Sequence, residues 1–336
     1  MNNQIILKLL KEAEESLSGE QIASKLDVSR TAVWKVIDVF RSQGYVIEGV
    51  QNRGYRLVSE PYLFSEEAIR SRLSDDWSDL YIRCFETVTS TNLFARVAVG
   101  EGKIPCLIVT NGQTGGRGRR GKSFYSPPHV GLYFSLAFSW DREEPPSLLT
   151  TMAAVAICRV LERELGVRAD VKWVNDIFID GKKVGGILTE AIAQRDLSDK
   201  KAIVIGVGLN LERPEQGYPA ELREKVGALS DTLDHTNMCI DGTAFAKDEE
   251  GNLTFNRNVL VAMMINELTC IMSELPGRDY LDEYRERCFI IDREVVLDDG
   301  RTIVPTGISD DGALTYCDAD GKIREITSGE ISLVSF

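Results

Sequence analysis

Between two apolar stretches of the chain lies Gly115-Gly116-Arg117-Gly118-Arg119-Arg120-Gly121-Lys122, four glycines and four cations in eight residues. Such a run makes neither a good helix nor a good strand, because glycine loses more chain entropy on ordering than other residues do. The composition predicts a mobile loop with a dense positive field, and the partner of such a field is an anion. Glycine lets backbone N–H groups approach a ligand closely, and arginine offers planar paired donors that match phosphate or carboxylate. An exposed arginine- and glycine-rich nucleic-acid loop is the alternative. The apolar strands on either side argue against it, since they put the run inside a folded domain.

Three further segments carry polar groups at the ends of predicted elements. Thr87-Val88-Thr89-Ser90-Thr91-Asn92 follows a strand and starts a helix, offering hydroxyls and an amide to a small polar ligand. Lys172-Trp173-Val174-Asn175-Asp176 closes another strand, and Gly181-Lys182-Lys183-Val184-Gly185-Gly186-Ile187-Leu188 begins the next. Taken singly, each of these is a weak signal, and a lone N-D or K-K-x-G-G is usually a turn.

In combination and order the segments resemble the biotin protein ligase family. The resemblance rests on S-T-N at 90–92, Q-T-G-G-R-G-R-R-G with F-Y-S-P downstream, K-W-V-N-D, K-V-G-G-I-L-T-E and G-V-G-L-N, and it covers residues 81–336. It implies attack of the biotin carboxylate on the α-phosphate of ATP, giving biotinyl-AMP and pyrophosphate. The biotinyl group then passes to a lysine of a biotin carboxyl carrier protein. A carboxylate is already ionised at neutral pH, so the first step needs no general base. What it needs is positive charge and positioning, to bring anion to anion.

Residue by residue, the resemblance assigns Ser90, Thr91, Asn92, Gln113, Arg117, Gly118, Arg119 and Lys183 to biotin. It assigns Arg119, Asn175, Asp176, Lys183 and Asn210 to ATP, with Lys183 and Arg119 as the catalytic cations. Arg117, Gly118 and Arg119 belong to a loop that closes over the hydrolysable intermediate. Asp176 is the candidate magnesium contact, because magnesium takes only one or two carboxylates beside phosphate oxygens; a strand-end cap is its other reading. Val174 stands where the family usually has Pro, and Phe124 where it usually has Trp. A lipoate or octanoate ligase and a ligand-sensing repressor without ligase activity are the rival readings. The arginine-rich loop with S-T-N weighs against the first, and the intact Arg117, Arg119 and Lys183 against the second.

Positioning these groups requires an α+β sheet domain. Strands are expected at 81–85, 106–111, 131–139, 168–173, 184–192 and 202–210. Helices are expected at 147–165 and near 91–99, 259–275 and 278–287. From residue 289 short strands are broken by Asp-Gly at 299–300, 311–312 and 320–321. That pattern predicts a small C-terminal β-barrel. The domain boundaries read as 1–60, 65–288 and 289–336, the first falling at Ser59-Glu60-Pro61. The stretch 231–257 is polar, weakly patterned and longer than the family norm.

The first sixty residues carry a separate pattern. Ser18 and Gln21 form an S-x-x-Q capping box, Asp27-Val28-Ser29 reads as a turn, and Val33, Val36, Ile37 and Phe40 recur at helical spacing. Residues 45–58 read as a hairpin turning near Asn52-Arg53-Gly54. This is the layout of a winged helix-turn-helix, with Ser29, Arg30, Thr31, Trp34 and Lys35 facing operator DNA. A small helical interaction domain with a solvated face is the alternative. Residues 20–56 carry six cations against four carboxylates, while the whole chain of 336 residues has a formal net charge of −13. Tight binding to phosphates by so acidic a chain favours two copies on a palindrome, and with the family resemblance this implies a ligand-promoted homodimer.

Composition excludes other classes. With 43% hydrophobic and 27% charged residues the chain is an ordinary globular one. No apolar run is long enough to span a membrane and no signal-peptide layout begins the chain, so a cytoplasmic protein is expected. Seven cysteines with no C-x-x-C pair predict reduced thiols rather than a disulfide framework or zinc site. His129 and His235 are the only histidines, which leaves little for a histidine triad or metal centre.

Overall fold

The computed structural model describes residues 2–13, 15–42, 45–50, 53–59, 64–142, 144–145, 147–193, 201–233, 244–247, 253–329 and 331–333. The chain divides into two compact units, residues 1–78 with 239–263 and residues 79–238 with 264–336. No helix among the described residues is long and apolar enough to cross a membrane.

The first unit opens with α1 (Asn2–Glu12), α2 (Gly19–Leu26) and α3 (Arg30–Ser42). Ile6, Leu7, Leu10, Ile22, Val33, Ile37 and Phe40 are buried together, so one stripe of each helix makes a common core. The expected capping box is formed: Gln21 N–H donates to Ser18 Oγ at 3.1 Å and Ser18 N–H to Gln21 Oε1 at 2.7 Å. Asp27 closes α2 in the left-handed region (φ 52). Ser29 then caps α3, accepting from Ala32 N–H at 3.1 Å.

Strands β1 (Val46–Val50) and β2 (Gly54–Ser59) form the antiparallel hairpin. Tyr55 exchanges two backbone hydrogen bonds with Leu17, at 2.9 and 2.8 Å, which ties the segment before α2 to the hairpin. Gly54 has φ +104, and a Cβ there would lie 2.1 Å from Leu17 O, so only glycine fits this crossing. The expected turn residue Asn52 and the boundary residues Glu60 and Pro61 lie outside the described residues.

A short helix α4 (Glu66–Arg70) follows, capped by Ser65, whose own N–H donates to Asn258 Oδ1 at 2.8 Å.

The second unit is built on a seven-stranded mixed sheet. Its strands are β3 (Tyr81–Val88), β4 (Cys106–Gln113), β5 (Gly131–Trp140), β6 (Asp170–Lys172), β7 (Asp176–Ile179), β8 (Lys182–Ala193) and β9 (Lys201–Asn210). Their spatial order is β3-β4-β5-β9-β8-β7-β6, with β3 and β4 parallel and every other pair antiparallel. The parallel pair exists because the helix α5 (Thr91–Gly100) carries the chain back between those two strands. The second long helix, α6 (Leu148–Leu165), ends at Gly166 in the left-handed conformation (φ 66).

Every strand and helix expected from 81 to 210 is present, and β7 is an addition. Its signal was short, four residues joined to β8 through Asp180-Gly181, both at positive φ (49 and 74). That dipeptide is the two-residue hairpin turn that such a sequence favours.

In the polar stretch 231–257, β10 (Phe245–Lys247) and β11 (Leu253–Phe255) pair antiparallel, and residues 234–243 and 248–252 are outside the described residues. The helix α7 (Arg257–Ser273) begins in the first unit and ends in the second, followed by α8 (Asp279–Arg287).

The C-terminal residues depart from the expected barrel. They contain β12 (Val295–Leu297), β13 (Thr302–Ile303), β14 (Pro305–Ile308), β15 (Leu314–Cys317), β16 (Ile323–Ile326) and β17 (Ile331–Leu333). These form two separate three-stranded sheets, β13-β12-β17 and β14-β15-β16, neither closed among the described residues. The chain changes sheet at Val304-Pro305, where proline has no N–H to continue a ladder. The Asp-Gly turns are as expected, with Gly300, Gly312 and Gly321 all at positive φ.

Candidate active site

The alternation of side chains along β9 sets the floor of the site. Ala202 and Val204 pack with Ala95 and Ala137 on the α5 side of the sheet, so Gly206 and Gly208 face the same way. A Cβ at Gly206 would lie 2.0 Å from Asn92 Oδ1, and one at Gly208 would lie 2.5 Å from the Phe124 ring. The two glycines therefore open a cleft that any larger residue would fill.

One end of the cleft is polar and closely bonded. Ser90 is the N-cap of α5, yet its hydroxyl makes no capping bond and instead lines the cleft. Gln113 Oε1 takes the cap's place, accepting from Thr91 N–H at 2.9 Å, while its Nε2 donates to Ser126 Oγ at 2.9 Å. Ser135 Oγ lies 2.8 Å from Thr91 Oγ1 and donates to Asn92 Oδ1 at 2.6 Å. Asn92 Nδ2 donates to Glu190 Oε2 at 2.8 Å and to Leu188 O at 3.2 Å. Ser90, Thr91 and Asn92 are each at most 4% exposed, so the network holds fixed rotamers.

The other end is charged. Arg119 Nη1 donates to Asn175 Oδ1 at 3.2 Å, Asn175 Nδ2 to Asp176 Oδ1 at 3.1 Å, and Lys183 Nζ to the same Asp176 oxygen at 2.5 Å. The chain of contacts thus runs Arg119, Asn175, Asp176, Lys183. The turn that presents Asn175 is anchored from behind. Trp173 Nε1 donates to Gly312 O at 2.9 Å, Tyr284 Oη to Val174 O at 3.0 Å, and the Trp173–Val174 peptide is cis. Burial pushes the Tyr284 hydroxyl well above the usual phenol range, which keeps it a donor.

The glycine- and arginine-rich loop spans these two ends. It is hydrogen bonded along its length: Gly115 N–H to Thr89 O (2.9 Å), Phe124 N–H to Gly116 O (2.9 Å) and Gly118 N–H to Lys122 O (2.7 Å). A Cβ at Gly116 would lie 2.3 Å from Phe124 O, so glycine is required for the strands of the loop to close. Arg117, Gly118, Arg119, Lys122 and Phe124 line the cleft from this side, and Gly329, Ile331 and Ser332 of the C-terminal segment line it too.

A model of the biotin/lipoate A/B protein ligase family matches residues 81–210, and an HTH domain model matches residues 3–56. The chain is 36% identical over 229 residues to the bifunctional ligase/repressor BirA of Bacillus subtilis, covering 67% of this chain and 70% of the relative. It is 30% identical over 346 residues to the bifunctional ligase/repressor BirA of Escherichia coli, covering 99% and 98%. The chain belongs to the bifunctional ligase/repressor family of biotin protein ligases. Among solved structures it is similar to the biotin protein ligase from Aquifex aeolicus in complex with biotin and ATP. There the identity is 24%, the TM-score 0.57 and the coverage 75% of this chain and 98% of that chain, a likeness of fold alone.

Of the residues expected to serve a ligase, Ser90, Thr91, Asn92, Gln113, Arg117, Gly118, Arg119, Asn175, Asp176 and Lys183 all line this one cleft. Asn210 does not. Its amide is turned away, donating to Gly227 O at 3.1 Å beside Tyr218, whose hydroxyl donates to the same carbonyl. Ser135 and Glu190, which lock the polar end, were not named as site residues: Ser135 sits inside a strand with no motif around it, and Glu190 ends the K-V-G-G-I-L-T-E run, where nothing in the sequence shows that it meets Asn92. Trp173 lies in the K-W-V-N-D segment but was not named as a site residue, and the C-terminal Gly329, Ile331 and Ser332 were missed because only chain folding brings them to the cleft. Among the described residues no group of three or more His, Cys, Asp or Glu could hold a metal.

The expected DNA-facing residues occupy one side of α3 and its cap. Ser29, Arg30, Thr31, Trp34 and Lys35 are exposed, while Val33, Ile37 and Phe40 turn inward. Trp34 is 52% exposed, which excludes it from the core of its unit.

Proposed function

We propose that this chain joins biotin to ATP, passes the biotinyl group to a lysine of a carrier domain, and represses biotin genes when biotinyl-AMP is bound. The observation that carries the reading is the continuity of the cleft: a neutral, pre-bonded polar end adjoins a cationic end within one enclosure. A ureido head group needs fixed donors and acceptors, as Ser90, Thr91, Gln113 and their partners offer. An adenylate needs cations at the junction.

In the first step a biotin carboxylate oxygen bonds to the α-phosphorus of ATP, and the bond from that phosphorus to the bridging oxygen breaks, releasing pyrophosphate. Lys183 stands at the junction, and its present partner Asp176 is one it exchanges for carboxylate and phosphate oxygens. Positive charge placed where negative charge develops is worth far more in an enclosed cleft than in water. Magnesium would arrive with the nucleotide, since the single carboxylate of Asp176 suits an ion that takes most ligands from phosphate and water; bound there, it neutralises phosphate charge. Arg117, Gly118 and Arg119 cover the mixed anhydride and exclude water. In the second step the carrier's lysine amine attacks the biotinyl carbonyl and AMP leaves with the electron pair.

For repression, the exposed face of α3 enters the major groove of operator DNA, and two copies bind a palindrome as a homodimer favoured by biotinyl-AMP. Ligand at the cleft alters DNA affinity only through an equilibrium that both sites share, and dimerisation is such an equilibrium. Both partners, carrier and operator, place this work in the cytoplasm.

Exchange of labelled pyrophosphate into ATP tests the chemistry, run with biotin, with lipoate and without acid. Exchange with biotin alone is expected; exchange with lipoate instead would overturn the assignment. Sedimentation and gel shifts with and without biotin plus ATP test the repressor half, which fails if dimerisation and DNA affinity are equal in both.

A further inference from the structure

Two neighbouring arginines of the glycine-rich loop have different partners. Arg119 reaches Asn175 in the cleft, whereas Arg120 is not among the residues lining it and pairs with Asp298. Arg120 has φ +52 and Gly121 φ +78, so the backbone turns through the left-handed region just where the two side chains part. A side chain other than glycine is disfavoured there, and a specific partner for it is the more telling. Asp298 immediately follows β12, the middle strand of the sheet β13-β12-β17. Gly329, Ile331 and Ser332, in and before β17 of that same sheet, line the cleft. The loop and the C-terminal sheet therefore meet at the cleft mouth, and Arg120 with Asp298 is a charged contact between them.

We infer that Asp298 is a positioning residue for the loop, acting through Arg120 to hold it across the cleft so that Arg119 stays on Asn175. The inference rests on the ligase reading of the cleft and adds to it the means by which the loop retains the intermediate. Both partners are partly exposed, 48% for Arg120 and 36% for Asp298. A pair of this exposure is weak and salt-sensitive, as suits a loop that must open for substrates and for the carrier's lysine.

Three full-length variants test this: Asp298→Asn, Asp298→Arg and the exchange Arg120→Asp with Asp298→Arg. The first readout is the release rate of biotinyl-AMP from the loaded enzyme. The second is hydrogen exchange of residues 115–122 without substrate, which does not depend on catalysis. Asp298→Asn should raise release about 2- to 5-fold at low salt and less at high salt, in line with an exposed pair. Asp298→Arg should raise it further, and the exchanged pair should bring both readouts back towards the parent. Parent-like release and loop exchange in both single variants would overturn the inference. So would an exchanged pair no better than Asp298→Arg, which would mark the contact as merely structural. If the parent shows no biotin-dependent pyrophosphate exchange, the ligase reading has failed, and loop exchange in the same variants still decides whether Asp298 holds the loop.

Discussion

The two ends of the cleft are organised on opposite principles. At the polar end Thr91, Asn92, Gln113, Ser126 and Ser135 bond to one another and to Glu190, with Thr91, Asn92, Ser126 and Ser135 buried and Gln113 and Glu190 partly exposed. At the charged end Lys183 and Asp176 satisfy each other at 2.5 Å, with side chains 30% and 20% exposed. The first arrangement is complete before any ligand comes, so it can select shape and hydrogen-bonding pattern. The second is a pairing of charges, which on the proposed function phosphate displaces. Selectivity on that reading belongs to the rigid end and rate to the end that re-pairs.

The sharpest way to break this contrast is Lys183→Ala. Removing one cation aimed at charge that develops in the transition state typically costs on the order of 10²- to 10³-fold. Pyrophosphate exchange should fall by that much while circular dichroism stays unchanged. Near-parental exchange from the folded variant would remove Lys183 from the chemistry.

The same substitution made at both ends sharpens the comparison further. Gly206→Ala would set a Cβ 2.0 Å from Asn92 Oδ1, inside a network with no slack. Overpacking of this kind costs roughly 1–3 kcal/mol. Gly186→Ala at the charged end would meet Lys183 Cε and Nζ at 3.5 Å and Asp176 Oδ1 at 3.6 Å, ordinary contact distances. Thermal melts and biotin calorimetry should show a destabilised, weakly binding Gly206→Ala and a Gly186→Ala within about 0.5 kcal/mol of the parent. Equal behaviour of the two would mean that the polar end is not preorganised.

A pH-dependent contrast lies in the packing behind each end. Burial pushes the Cys106 thiol, under α5, up to about 11, and the Cys158 and Cys288 thiols, close to Tyr284, up to about 12. Folded values raised above unfolded ones give stability that is whole below the unfolded thiol range, near pH 9, and is lost as pH climbs towards the folded values. Urea midpoints should therefore fall from about pH 9 upward, by at most roughly 1.4 kcal/mol per pH unit for each such thiol. Cys158→Ala should flatten that slope over a wider range than Cys106→Ala, because its folded value is higher. A flat midpoint from pH 8 to 11 would contradict the sign.

Much of this was legible in the chain. The capping box at Ser18 and Gln21 fixed the start of α2, and the alternating and helical apolar patterns placed the elements that present Ser90, Asn175 and Lys183. Motif order brought ten of the expected site residues to one cleft. Asn210 was carried along by its motif, although its strand-end amide has a structural partner in Gly227. The barrel was inferred from turn spacing, which says where strands break and nothing of which strands pair.

The sequence by itself determined residue chemistry and local form, because caps, turns and periodicity depend on neighbours a few positions away. It determined that a glycine- and arginine-rich loop would carry a dense positive field and that Ser90 to Asn92 would begin a helix. Only the tertiary structure decided which faces of β5, β8 and β9 look into the cleft, and so gave Ser135, Glu190, Gly206 and Gly208 their parts. It also brought Trp173 to Gly312 and Arg120 to Asp298, across 139 residues in the first case. The physical reason is that a side chain's partners across a sheet or between segments are set by strand order and register. Those follow from burying many apolar residues at once, and no single stretch of sequence carries that information.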